Sequence, residues 1–300
     1  MRSVAVLGAG GVGGFVAAAL ARAGADVRVV ARPETAAALR QTGFTVSSRA
    51  LEAEFTARPT VETELDEPVD VLVVATKATG LPDALQRVDA APRLVVPLLN
   101  GLDHLALLRE HFGADRVAAA VIRIESDRPA AGAIVQTSPA ARVDLAAGTR
   151  PETAAELEEL AALLRAAGFD VRIGDSDAQV MWSKLARLCA LALTTSASGR
   201  SIGYVRSDPR WRSALQGAVN ETVAVANADG ASLRAVDTLA ELDGAHPELG
   251  SSMQRDIAAG RATELDAIAG AVLRAGQRHG LRCPTVQWLA ERVAVRAANA

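Results

Sequence analysis

The sequence has few of the residues on which several classes of protein depend. One Tyr, three Trp and five Phe are its only aromatic residues in 300, whereas proteins that bind single-stranded nucleic acid stack the bases on aromatic side chains. Acidic residues number 35 and basic residues 32, and no segment concentrates the positive charge that a phosphate backbone requires. We therefore expect a small polar ligand and no nucleic acid as the partner.

Cysteine and long apolar runs are also scarce. The two cysteines, Cys189 and Cys283, form no CxxC pair and no cluster with histidine at metal-ligand spacing, which argues against a disulfide framework and a bound metal. Arg, Asp or Gly interrupts every apolar stretch before it reaches the roughly 20 residues of a membrane-spanning helix. The sequence therefore predicts a soluble, cytoplasmic protein that does not enter a membrane.

Lysine is the rarest of the charged residues. Only Lys77 and Lys184 are lysine among the 32 basic residues, and the others are arginine. Lysine is a compact point charge that can release a proton near neutral pH when it is buried, which arginine cannot do. Either the chemistry at these two positions requires lysine, or lysine remains at them by chance.

The first half of the chain alternates between strand and helix patterns, as in a doubly wound parallel sheet. The continuous apolar run at 69–75 is typical of a parallel strand buried on both faces. Hydrophobic periodicity predicts strands at 3–7, 26–31, 44–47, 53–56, 69–75, 93–97 and 116–124, with helices at 15–22, 34–40, 81–88 and 102–111.

Beyond this alternation the pattern changes twice. Short strands with turn signals at 127–147 predict a small mixed extension of the sheet, followed by a helix at 151–167 and a last strand at 170–173. Only helical patterns follow, at about 177–196 with Asp175 or Asp177 as the cap, and at 207–228, 233–240, 251–259, 263–279 and 284–297. We expect an α/β domain over 1–174 and an all-α domain over 175–300.

A GxGxxG motif lies between the first predicted strand and its helix. Gly8 permits a tight turn, Gly10 lets the backbone approach a pyrophosphate, and Gly13 allows close packing of the helix on the strand. This context favours dinucleotide binding by a Rossmann-type domain over a glycine-rich turn that binds nothing. The predicted cofactor-binding residues of the motif are Gly8, Ala9, Gly10, Gly11, Val12 and Gly13.

The end of the second predicted strand bears on the choice of cofactor. Sites that prefer NAD usually carry an acidic residue there, whereas this chain has Arg32. An arginine at this position favours the 2′-phosphate of NADP. Arg32 could instead be a solvated loop cation, with Pro33 beginning the next helix and Glu34 close by.

Two further polar residues follow strands at the edge where such sheets bind ligands. Lys77 comes directly after the strand at 69–75 and could meet a cofactor phosphate or a substrate carboxylate. Asn100 follows the next strand, where its amide could bind the nicotinamide ribose or a substrate oxygen. The alternative for Asn100, which precedes Gly101, is an ordinary Asn-Gly turn.

The helical half carries a second set of candidates. Lys184 lies in an otherwise apolar helix beside Trp182, so it either extends to solvent or points into a cleft. Leu188 and Ala192 continue its face at four and eight residues further on and are predicted to approach the same ligand. Ser252 and Glu264 each lie near the start of a later helix, where an N-cap or a favourable first-turn acid is the simpler explanation.

At these positions the chain resembles the ketopantoate reductase family, NADPH-dependent enzymes that reduce 2-dehydropantoate to pantoate in pantothenate biosynthesis. The likeness covers nearly the whole length. It rests on VLGAGGVGG at the N-terminus, Lys77, the Asn100-Gly101 turn, the Trp182-Ser183-Lys184-Leu185 block, and SSMQRDI followed by Thr263-Glu264-Leu265-Asp266.

The resemblance implies a Rossmann domain, an all-helical domain and an active site in the cleft between them. By position, Lys184 would be the general acid that protonates the ketone oxygen of the substrate, and Glu264 would orient that lysine and the cofactor. Ser252 would bind the substrate carboxylate. Lys77 and Asn100 would hold the cofactor and one end of the substrate.

The chain departs from the family at two positions. Family members place asparagines four and eight residues after the catalytic lysine to bind the hydroxyl and polar groups of the substrate, and this chain has Leu188 and Ala192 there. Losing both amides weakens or redirects recognition of a hydroxylated substrate. The alternatives are thus a less hydroxylated 2-keto acid or another small carbonyl compound, or a non-catalytic dinucleotide sensor. A homodimer is left open.

Overall fold

The computed structural model describes residues 3–146 and 151–300. Two compact units divide the chain. The first comprises the described residues up to Leu99 together with His104–Val180, and the second comprises Asn100–Asp103 together with Met181–Ala300. The first unit contains all the strands of the described residues and the second is helical.

Strands and helices follow one another closely along the described residues. The strands are β1 (Ser3–Leu7), β2 (Asp26–Val30), β3 (Phe44–Ser48), β4 (Ala53–Ala57), β5 (Thr60–Glu62), β6 (Val71–Val74), β7 (Leu94–Pro97), β8 (Ala120–Arg123), β9 (Ser126–Ala130), β10 (Ala133–Gln136), β11 (Arg142–Ala146) and β12 (Asp170–Gly174). The α-helices are α1 (Gly11–Arg22), α2 (Pro33–Thr42), α3 (Leu81–Leu85), α4 (His104–Phe112), α5 (Pro151–Ala166), α6 (Asp177–Ser198), α7 (Ile202–Ser207), α8 (Pro209–Ala228), α9 (Ala235–Asp243), α10 (Ser252–Ala258), α11 (Ala271–Arg278) and α12 (Pro284–Ala298).

The main sheet of the first unit has five parallel strands in the order β5-β2-β1-β6-β7. The chain moves outward from β1 to β2 and β5, then returns to the other side of β1 for β6 and β7. Strand order therefore reverses between β1 and β6, and sheets of this type bind ligands at the carboxyl ends of the strands at that point. This topology confirms the predicted doubly wound fold.

The predicted extension of the main sheet is partly wrong. A parallel bridge between Val95 of β7 and Val117 links the main sheet to the residues before β8, but β9 and β10 lie apart from it. The strands outside the main sheet form two further sheets. One has the order β4-β3-β10-β9 and the other the order β12-β11-β8. In the first of these, Phe44 of β3 and Ile134 of β10 pack so closely on α1 that a Cβ at Gly14 would lie 2.6 Å from Ile134 Cδ1. These apolar residues bury their surface against the helix rather than beside β7. Residue 147, the end of the predicted segment, lies outside the described residues.

The helical unit shows three differences from the sequence pattern. The hydroxyl of Ser176, and neither Asp175 nor Asp177, accepts the backbone N–H of Gln179 at 3.1 Å and so caps α6. The short helix α7 was not predicted, since six residues are too few to display a helical period. The predicted helix at 263–279 contains a π-helical stretch at Asp266–Gly270 before α11 begins. In the described part of the chain, every helix is too short or too polar to cross a bilayer.

Candidate active site and cofactor loop

The glycines of the GxGxxG motif have three different surroundings in the first unit. Gly8 has a φ of +108°, and a Cβ there would lie 2.9 Å from the carbonyl oxygen of Ala75 on the neighbouring strand segment. A Cβ at Gly13 would lie 1.9 Å from the carbonyl oxygen of Gly8. Both positions therefore require glycine for packing. A Cβ at Gly10 would meet no protein atom within 4 Å, so the backbone there borders open space.

Helix α1 begins at Gly11, four residues earlier than predicted, and its N-terminus carries no side-chain cap. The first N–H groups of a helix have no partner within the helix, and together with the helix dipole they attract anions. Ala9 lies in the turn before the helix and is buried, and Val12 lies in the first turn of α1 and is half-buried. The open space at Gly10 lies beside these N–H groups, which fits a dinucleotide pyrophosphate.

A second observation supports the fit of a ligand at this edge. The hydroxyl oxygen of Thr76, which follows β6 beside Gly8, is buried and has no hydrogen-bond partner among the described residues. Buried hydroxyls usually have a partner. Sequence reasoning missed Thr76, although its position immediately before Lys77 was a usable signal.

Arg32 and Lys77 lie at the ends of β2 and β6. Arg32 is exposed at the N-terminus of α2, and within the described residues its guanidinium has no hydrogen-bond or ion-pair partner. A Cβ at Gly80 would lie 3.9 Å from Arg32 Nη2. Gly80 ends the short 3₁₀ turn that Lys77 precedes, so the structure places Arg32 beside that turn. An unpaired cation at this place suits a phosphate ligand.

The second unit brings together three residues that are far apart in sequence. The Lys184 ammonium on α6 donates to Asn100 Oδ1 at 2.8 Å, and Asn100 Nδ2 donates to Glu264 Oε2 at 3.0 Å. All three side chains belong to half-buried residues. Because the amide donates through nitrogen and accepts through oxygen, the glutamate fixes which face of Asn100 meets the lysine. The structure thus shows an amide bridge between the predicted acid and the predicted carboxylate.

The Asn100 segment is held in place by the helix that follows Glu264. Gly101 has a φ of +92°, and a Cβ there would lie 2.2 Å from the carbonyl oxygen of Ala267 in the π-helical stretch. Arg274 of α11 binds Asp103 at 2.6 Å and Asp266 at 2.8 Å. The Asn-Gly turn therefore does more than reverse the chain, because it places the side-chain amide of Asn100 next to Lys184. π-Helical turns are frequent at functional sites.

The remaining candidates of this unit lie outside that bridge. Leu188 is half-buried, one turn beyond Lys184, whereas Ala192 is only 1% exposed. Ser251, and not Ser252, caps α10 by accepting the Gln254 N–H at 3.1 Å. Ser252 is exposed, and in the described residues its hydroxyl makes no hydrogen bond to the bridge. Its role in substrate binding stays a prediction.

A hydrogen-bonded network of Trp182, Asp229 and His279 supports the α6 turn that carries Lys184, and sequence reasoning missed it. Trp182, 1% exposed, donates its indole N–H to Asp229 Oδ2 at 2.9 Å. The other oxygen of Asp229 lies 2.7 Å from His279 Nε2. Burial by itself raises the pKa of Asp229, but the hydrogen bonds from His279 and Trp182 outweigh it and hold that pKa below its usual value.

We expect Asp229→Asn to destabilise the fold in a pH-dependent way. A carboxylate whose pKa is lowered by folding stabilises the native state above its unfolded pKa of about 4, and that stabilisation is lost as the pH falls through the folded pKa. The variant should lose about 2 kcal/mol in the free energy of unfolding at pH 7, and this difference should shrink below about pH 4. Urea unfolding at pH 7 and pH 3 measures it.

The matched control is Asp237→Asn, which removes an exposed carboxylate 3.6 Å from Arg234. An exposed pair of this kind contributes about 1 kcal/mol or less. Equal losses for the two variants, or a loss for Asp229→Asn that does not change with pH, would contradict the role given to the network.

A doubly wound sheet with a glycine-rich turn and a separate lysine–amide–carboxylate group define an oxidoreductase of the Rossmann type. Residues 4–149 match the sequence model described as "Ketopantoate reductase PanE/ApbA", and residues 178–297 match its "C terminal" counterpart. The chain belongs to the ketopantoate reductase family. Family membership implies a nicotinamide dinucleotide as the cofactor.

Individual proteins are similar to this chain over nearly its full length. A 2-dehydropantoate 2-reductase from Caulobacter vibrioides is 30% identical over 95% of both chains. The crystal structure of a 2-dehydropantoate 2-reductase from Geobacter metallireducens is 26% identical, with a TM-score of 0.86 over 97% of this chain and 99% of the other. A D-mandelate dehydrogenase in complex with NADH and anilino(oxo)acetate, 20% identical, shares the fold with a TM-score of 0.90 over 99% of each chain.

Proposed function

We propose that the protein reduces 2-dehydropantoate to pantoate with NADPH, in the cytoplasm. The observation that carries this proposal is the Lys184–Asn100–Glu264 bridge in a member of the ketopantoate reductase family. A protein that only senses a dinucleotide has no need of a positioned proton donor. Residues 1–174 would form the NADP-binding domain and residues 175–300 the substrate and catalytic domain.

NADPH, when bound, supplies the hydride for the ketone carbon. Lys184 then acts as the general acid, giving a proton from its ammonium to the ketone oxygen as negative charge develops there. Asn100 holds the lysine Nζ in place through its Oδ1. Glu264 accepts from the Asn100 amide and so prevents it from turning its N–H groups toward the ammonium, where they would repel it.

The cofactor preference follows from the first unit. The α1 N-terminus and the open space at Gly10 would receive the pyrophosphate. Arg32 would bind the 2′-phosphate that distinguishes NADPH from NADH, with Lys77 at the adjoining turn. Among the described residues no carboxylate pairs with Arg32, so its charge is available to a phosphate.

Two residues of α6 favour a second candidate for the substrate. Leu188 and Ala192 occupy the positions at which family members carry asparagine, and a hydrocarbon side chain cannot bind a substrate hydroxyl. A less hydroxylated 2-keto acid, still bound through its carboxylate by Ser252, is therefore the alternative. The two candidates differ in how strongly the enzyme rejects a substrate that lacks the hydroxyl group.

The deciding experiment follows NADPH oxidation at 340 nm with 2-dehydropantoate and with 3,3-dimethyl-2-oxobutanoate, which lacks only the hydroxyl. We expect kcat/KM for 2-dehydropantoate of about 10⁴ M⁻¹s⁻¹ or more. A site without hydroxyl-binding amides discriminates by roughly 100-fold or less, whereas one built to bind the hydroxyl discriminates by about 10⁴-fold. We expect the weaker discrimination, and Leu188→Asn should increase it.

Other results would change the proposal. A kcat/KM that is higher for the deoxy compound or for another 2-keto acid would make the alternative substrate the physiological one. Binding of NADPH without turnover of any 2-keto acid would contradict the catalytic role and favour a dinucleotide sensor.

A further inference from the structure

Strand β9 is hydrogen-bonded to the glycine-rich turn on both sides of Gly10. The hydroxyl of Ser126 donates to the carbonyl oxygen of Gly11 at 2.8 Å, and Arg128 Nη1 donates to the carbonyl oxygen of Ala9 at 3.2 Å. A Cβ at Gly11 would lie 2.4 Å from the carbonyl oxygen of Ser126. This approach brings the guanidinium of Arg128 to the turn that borders the open space at Gly10.

The guanidinium of Arg128 has more hydrogen-bonding capacity than the protein uses. It carries five N–H donors, and in the part of the chain that the structure describes only the bond to Ala9 engages them. No carboxylate of the described residues pairs with Arg128, which is exposed. An arginine held by one backbone carbonyl keeps its other donors and its full charge for a ligand.

The position of the arginine indicates which part of a ligand it meets. It lies at the turn before α1, where the helix N-terminus attracts phosphate, and not at the end of β2, where Arg32 is placed for the 2′-phosphate. Arginine binds phosphate oxygens by charge-assisted, often paired hydrogen bonds. The pyrophosphate is common to NADH and NADPH, whereas the 2′-phosphate is found only in NADPH.

We propose that Arg128 is a cofactor-binding residue that contacts the pyrophosphate of the nicotinamide dinucleotide from β9. This inference rests on the dinucleotide binding of the proposed function. It gives the chain two arginines with separate tasks: Arg128 contributes affinity for both dinucleotides, and Arg32 contributes the preference for NADPH. The sequence pattern gave no sign of Arg128, since it lies in a short strand with no recognisable motif.

The test measures the Kd of NADPH and of NADH for the whole chain, by the fluorescence of the reduced nicotinamide and with no substrate present. Loss of a charge-assisted contact to phosphate should raise both Kd values of Arg128→Ala by the same factor, about 10-fold or more. The variant should also show a weaker dependence of Kd on salt concentration, because one fewer cation contacts the ligand.

Two further variants separate ligand binding from a structural role. Arg58→Ala is the matched control, because Arg58 is an exposed arginine of the same unit that also donates to one backbone carbonyl, that of Gln41 at 3.0 Å; its Kd values should not change. Arg128→Gln keeps a polar side chain with N–H donors but has no charge, so it should bind dinucleotides as weakly as Arg128→Ala.

Several outcomes would overturn the inference. These are unchanged Kd values in Arg128→Ala, full recovery in Arg128→Gln, or a loss confined to NADPH. If the unaltered chain binds dinucleotides normally in those cases, the proposed function stands and only the role of Arg128 fails. If the unaltered chain binds neither dinucleotide, both proposals fail together.

Discussion

Replacing Lys184 by alanine should reduce kcat about 10³-fold or more while leaving the Kd of NADPH nearly unchanged. The expected loss reflects the removal of a general acid, which typically contributes 10²- to 10⁴-fold to the rate. The cofactor is retained because its proposed ligands, the glycine-rich turn with Arg32 and Arg128, belong to the other unit. Steady-state kinetics at saturating NADPH, combined with fluorescence titration of the cofactor, measures both quantities.

Lys184→Arg tests the proton transfer itself. Arginine keeps the positive charge beside Asn100 but holds its proton too firmly to donate it near neutral pH. If Lys184 is the acid, the arginine variant should be nearly as slow as the alanine variant. Recovery of most of the activity in Lys184→Arg would mean that the site needs only a charge to bind the substrate, and the assignment of the acid would then be wrong.

Replacing Arg32 by alanine should raise the Kd of NADPH about 100-fold and change the Kd of NADH little. The reason is that the guanidinium would make paired, charge-assisted bonds to the 2′-phosphate, a group that NADH lacks. Arg32→Asp should go further and favour NADH, because a carboxylate repels the phosphate and can bind the ribose hydroxyls.

The cofactor titrations also compare the two arginines. Arg32→Ala should reduce the preference for NADPH, whereas Arg128→Ala should leave that preference unchanged and weaken binding of both dinucleotides. An unchanged ratio of the two Kd values in Arg32→Ala would refute the 2′-phosphate contact, and the proposal of NADPH as cofactor would lose its basis in this chain.

Many elements were predictable because their patterns are local. Strand β1 has the predicted bounds, and β6 lies within the valine-rich run at 69–75, since alternating strand and helix patterns with apolar strands define a buried parallel sheet. The start of α1 was placed four residues too late, because glycines that a ligand-binding turn requires also lower helix propensity.

Long-range pairing was not predictable in the same way. The strand pattern at 133–136 is the same whether β10 joins the main sheet or a second one, and its parallel pairing with β3 is decided by packing on α1. The π-helical stretch at Asp266–Gly270 likewise has no signal in the periodicity. It lies where the backbone of Gly101 packs against Ala267, a contact between segments more than 160 residues apart.

The sequence by itself determined the doubly wound domain, the helical domain, the glycine-rich turn and the rarity that singled out Lys184. It also indicated Asn100 and Glu264 as candidate site residues, although an ordinary turn and a first-turn acid were simpler explanations for them. Only the tertiary structure decided that these three residues meet, with Asn100 as the bridge, and that Arg128 lies at the glycine-rich turn. The physical reason is that a helix or strand pattern records burial along one segment, whereas a hydrogen bond across 84 or 164 residues depends on how the whole chain packs.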